Sequence, residues 1–158
     1  MFAFIKTLFS AKKPNAALAW QQAGNDAAHY YWLYAAPVHL VLQRDSFSLG
    51  AQITLNGAEA DALTATFNQH FAADGKVFFW HANTFFLRLN NNPNIQTQAP
   101  PIGKDINAFL PTGDGAIDWA SFTNELQMLL FTQPINQARE AENLPVINSL
   151  WCYGGGQL

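Results

Sequence analysis

The sequence predicts one α+β domain: a mostly antiparallel sheet with helices packed on at least one face. Three patterns carry that reading. Val38, Leu40 and Leu42 alternate with His39 and Gln43, the period of a half-buried strand. Val77–Trp80 and Phe85–Leu89 are strand-like runs separated by His81-Ala82-Asn83-Thr84, which predicts a hairpin. Between these regions Leu63, Phe67 and Phe71 recur at the spacing of one helical face. The 158 residues suit a single core, since domains cluster around ~100–150 residues.

In chain order, residues 1–35 read as an N-terminal helical and aromatic segment and 36–156 as the α+β core. A helix over Phe2–Phe9, a break at Pro14-Asn15 and a short helix through Leu18 and Trp20 precede the aromatic run Tyr30–Tyr34. That run fits a strand or a buried helix equally, because all its faces are apolar. Asp45-Ser46 is a turn, and Phe47 and Leu49 belong to the returning strand. Asn56 with Glu59 forms a variant capping box that opens the next helix, and Asp74-Gly75 stops it. After the hairpin, Asn90–Pro101 is a loop by composition. Asp105 caps a short helix over Ile106–Leu110. Asp118 caps a longer one, with Trp119, Phe122, Leu126, Leu129 and Leu130 in one arc and Met128 and Phe131 outside it. Pro134 suits the first turn of a last short helix. Val146–Tyr153 is a strand apolar on both faces, which predicts a central place in the sheet.

Composition narrows the function classes. Hydrophobic residues make up 49% and charged residues only 12%, about half the usual ~25%, so the surface is covered by neutral polar side chains or by a second subunit; a homodimer is an expectation. A net charge of −3 with eight Lys and Arg lacks the clustered cations that nucleic acid requires. Lys6 interrupts the apolar N-terminal run, too short for a membrane span of ~20 residues, and a helix packed on the domain or on a neighbour is the expectation there. One cysteine, Cys152, excludes an internal disulfide and a multi-cysteine zinc site, and the cytoplasm is the simplest compartment.

Chemical motifs are sparse. His29, His39, His70 and His81 show no metal-ligand spacing, and no Gly-x-Ser-x-Gly elbow occurs. Cys152 reads as a small buried apolar residue. Gly154-Gly155-Gly156 has no Lys-Ser or helix after it to complete a phosphate loop and reads as a flexible terminus or a truncation point. No cofactor or metal is expected. The strongest polar constellation lies near the C-terminal end: Asn136, Arg139, Glu140 and Asn143 share one helical face, and Glu125 on the preceding helix is the expected partner of Arg139. Asn148 and Ser149 point to opposite faces of the last strand, so at least one is buried. Either this is a network tying helices to sheet, or Arg139 and Arg88 bind an anion that Asn136 and Asn148 orient, with Glu125, Glu140 and Trp151 around it.

The runs Pro37-Val38-His39-Leu40, Arg44-Asp45, Asn124–Leu130, Pro134-Ile135-Asn136, Ala138-Arg139-Glu140 and Ile147–Trp151, closing on Gly154-Gly155-Gly156, resemble the proteobacterial regulatory protein family of the RpfE type over roughly residues 32–156. Some of its members are labelled cofactor-independent phosphoglycerate mutase-like. The resemblance implies a regulatory role, and its mutase label an enzyme. A metal-dependent phosphomutase needs a nucleophilic Ser and clustered Asp and His ligands, a set the sequence does not show. The expectation is a non-enzymatic regulatory or binding module that recognises a small anion or a protein through the Arg139 face and the Asn90–Pro101 loop. The alternative is a phosphoglycerate mutase-like or phosphatase-type enzyme, or a fragment of one.

Overall fold

A computed structural model describes residues 13–158, so the predicted helix over Phe2–Phe9 lies outside the described residues. Five antiparallel strands form one sheet: β1 (Tyr31–Leu42), β2 (Phe47–Gln52), β3 (Lys76–His81), β4 (Thr84–Leu89) and β5 (Ser149–Gly156). The helices are α1 (Ala16–Gln22), α2 (Gly57–Phe71), α3 (Ala116–Phe131) and α4 (Pro134–Ala141). The predicted α+β class holds.

β1 is the spine. Tyr31–Ala35 pair with β4, Val38–Leu42 with β2, and Trp32–Val38 with β5 on the opposite edge. The aromatic run is therefore the first half of the central strand, and β1 runs unbroken across residue 35. Among the described residues β5 pairs only with β1, which corrects the predicted central position for that strand. Its first four residues are buried although it is an edge, because elements on both faces of the sheet cover it.

The period-2 alternation sorts side chains between two faces. Leu33 and Ala35 of β1, Phe78 of β3, Phe85, Leu87 and Leu89 of β4, and Leu150 and Cys152 of β5 meet α2 and α3 in the main core. Phe67 of α2, fully buried there, contributes about 1.5–3 kcal/mol of apolar burial. On the other face, Trp20 of α1 stacks on Trp32 with centroids 4.9 Å apart, and Ile106 and Trp151 pack on Val38 and Leu40.

Local chemistry explains the boundaries. Asn56 accepts the Glu59 amide at 2.8 Å while Glu59 accepts the Asn56 amide at 3.1 Å, the expected capping box. Gly75 holds a left-handed φ of 78° where the segment after α2 turns into β3. The β3–β4 connection is tighter than predicted: Ala82 and Asn83 alone form it, with φ of 52° and 63°, the pattern of a two-residue turn. Two start sites differ from expectation. α3 begins after Gly115 with no side-chain cap, leaving Asp118 inside its first turn, and Asp105 precedes only the single 3₁₀ turn Asn107–Phe109. Gly154–Gly156 are strand residues, not a flexible tail. A Cβ at Gly155 would run into the Tyr31 hydroxyl, and one at Gly156 into the Asn15 carboxamide.

Candidate functional site: a cleft along the edge of β5

Four of the sequence-predicted residues turn out to be fastened to the fold. Asn136, buried on α4, donates from Nδ2 to Leu130 O at 3.0 Å and Ile147 O at 2.8 Å, and its Oδ1 accepts the Ile147 amide at 2.8 Å. Its carboxamide therefore takes the place of a neighbouring strand's peptide group just before β5. Asn148 repeats the device on β1, accepting the Leu40 amide at 2.7 Å and donating to Leu40 O at 2.9 Å. Trp151 donates from Nε1 to Gln98 O at 2.8 Å, which pins the Asn90–Pro101 loop against the sheet. Arg139 donates from Nε to Pro145 O at 2.7 Å and from Nη1 to both carboxylate oxygens of Glu59, at 2.9 and 3.2 Å.

The Arg139–Glu59 pair corrects the expected partner. Glu125 is exposed and instead accepts from His70 Nε2, also at the surface, at 3.1 Å. Glu59 serves two structures at once, the α2 cap and the α4 cation, with side-chain exposures of 10% for Arg139 and 16% for Glu59. Arg88 is elsewhere. Its guanidinium lies 4.3 Å over the Tyr30 ring and 5.5 Å from that of Phe79, and its strand position is opposite Trp32 and Val77. Arg88 and Arg139 do not converge.

Around the fastened residues lies a cleft of about 1240 Å³. One wall is α3, with Thr123, Gln127 and Phe131; the opposite wall carries Phe47, Ile106 and Leu110; Ser149–Cys152 run between them. Since Leu150 and Cys152 belong to the core on one sheet face and Trp151 to the cluster on the other, the cleft straddles the edge of β5. Asn136, Asn148, Trp151 and Glu140 line it, whereas Arg88, Arg139 and Glu125 do not. Among the described residues that line it, Glu140 is the one formally charged side chain, and none is Lys or Arg.

Sequence reasoning missed several lining residues. Gln127 donates to Ser149 Oγ at 3.1 Å. His39 Nδ1–H donates to Val146 O at 2.9 Å. Phe131, which lines the cleft, is 86% exposed; its position outside the apolar arc of α3 was the available signal. Cys152 is inert here, because burial pushes its thiol up to about 12. Among the described residues no three His, Cys, Asp or Glu side chains gather as a metal cluster, and no helix is long and apolar enough to cross a membrane.

No family model matches the chain, and no curated protein matches it. Among solved structures, the cofactor-independent phosphoglycerate mutase from Thermoplasma acidophilum DSM 1728 is similar in fold, with a TM-score of 0.60 at 14% identity. The match covers 82% of this chain and 37% of that one. At that identity the likeness is one of fold, and this chain spans little more than a third of the solved protein's length.

Proposed function

We propose that this chain is a non-enzymatic binding module, regulatory in role, whose cleft beside β5 receives a protein partner. One observation supports this reading above others: the cleft pairs exposed apolar side chains, Phe131 and Leu110 among them, with carboxamides and almost no charge. Its volume exceeds the ~300–1000 Å³ typical of small-molecule pockets. Apolar patches of this kind mark contacts between proteins. The small anion is left out of the proposal, since Arg139 is engaged by Glu59 and Arg88 lies on aromatic rings.

A photoreactive amino acid in place of Phe131 tests the reading in cells. It is expected to crosslink one protein, while the same group at Ala62, exposed on α2, does not. Equal labelling at both positions would overturn the proposal. The enzyme reading draws support from the fold likeness alone. Its test is interconversion of phosphoglycerate isomers by the purified chain with Mg or Mn ions, and turnover abolished by no cleft substitution would count against the cleft as its site.

A further inference from the structure

We infer that the occupant of this cleft is an extended, uncharged peptide segment of the partner, added to β5 as a sixth strand through the peptide groups of Leu150 and Cys152. The inference rests on the binding-module reading and specifies how it works.

Backbone direction is the first support. Residues directly opposite in an antiparallel pair either exchange both hydrogen bonds or both turn away. Pro37 lies opposite Leu150, has no N–H, and gives its carbonyl to the Ile53 amide at 2.8 Å on the far edge of β1. Leu150 therefore turns its N–H and C=O away from β1, and Cys152, two residues on, does the same. Among the described residues nothing pairs with that edge. Both residues are nevertheless deeply set, 3% and 8% exposed. Peptide groups so placed call for partners.

The walls supply the second support. An added strand sends alternate side chains to opposite faces, so recognition by strand addition needs receptive surface on both. This cleft has it: Phe131 and Thr123 on the α3 side, Phe47 and Leu110 on the other. The neutral carboxamides of Asn107, Asn124, Gln137 and Asn143 also line it, as hydrogen-bonding groups suited to an uncharged chain. The fold itself closes strand peptide groups with carboxamides, Asn68 at Phe78 and Asn148 at Leu40. Among the described residues no such clamp closes the outer edge of Ser149–Cys152.

The test uses the full, isotope-labelled chain and a capped pentapeptide of alternating Thr and Val, beside the same peptide N-methylated at every amide so that it can donate along neither edge. The unmethylated peptide is expected to slow amide exchange at Leu150 and Cys152 by about tenfold or more, and the methylated one to leave it unchanged. Equal effects of both peptides, or none from either at millimolar concentration, would overturn strand addition. The Phe131 crosslink would then decide separately whether the cleft still binds a partner. Slowed exchange on raising the protein concentration alone, with doubled sedimenting mass, would make the occupant a second copy and overturn the peptide.

Discussion

A buried polar side chain must be bonded wherever the fold places it, and Arg139 shows how much that obligation specifies. Its carboxylate partner, Glu59, is 80 positions away, so no local spacing announces the pair; what the sequence announces is only a polar helical face whose Arg139 would pair with an anion if buried. The nearer candidate, Glu125, fits the helix geometry and is nonetheless out at the surface with His70. Removing one member of a buried pair strands the other, so Arg139→Ala is expected to lose about 3 kcal/mol of stability in urea unfolding. Replacing both residues, Arg139→Met with Glu59→Leu, should restore much of that loss, less the capping interaction Glu59 gives α2. An Arg139→Ala protein with an unchanged urea midpoint would show that the pair is not coupled to folding. The same logic limits what was legible at Asn136 and Asn148. Their need for partners follows from their apolar surroundings, but the partners are peptide groups, which every residue carries alike, and so the sequence cannot name them.

At the scale of elements, periodicity was readable and pairing was not. The strands of the β3–β4 hairpin, the α2 capping box and the Pro134 start of α4 follow from local residue chemistry, and each forms where that chemistry places it. β5 misleads for a physical reason: a strand apolar on both faces is covered on both faces, but coverage does not require a neighbour on each edge. The helix α3 and the segment around Ile106 supply the cover, while among the described residues β5 has only β1 beside it. Edge strands invite unwanted pairing, and β3 shows how this fold manages one. The Asn68 carboxamide of α2 donates to Phe78 O at 2.9 Å and accepts its amide at 2.7 Å. Asn68→Ala should therefore cost roughly 1–3 kcal/mol by orphaning those groups, and should also raise concentration-dependent association. Lower stability without added association in sedimentation would mean that the clamp serves folding only.

Over the whole molecule, the β1–β5 pair joins the two cores, and its ionisable groups make the fold sensitive to alkali. Tyr31 and Tyr34 on β1 and Tyr153 on β5 all have phenol pKa values raised by burial, Tyr153 further by its neighbour Tyr34. The Cys152 thiol moves from 9.0 to about 12 for the same reason. Each is an acid held neutral in the folded state, so the unfolded chain loses its protons first and binds fewer of them above pH 9. Stability is then fully present below pH 9 and falls as pH rises toward 12, at a slope on the order of 1.4 kcal/mol per pH unit for the thiol alone. Cys152→Ala should flatten the decline by about that slope while leaving the tyrosine share, which starts higher, in place. Urea unfolding of both proteins between pH 8 and pH 11, a range set by these shifts, measures the difference directly. Parallel stability curves would mean that the thiol meets solvent when folded instead of packing in the main core.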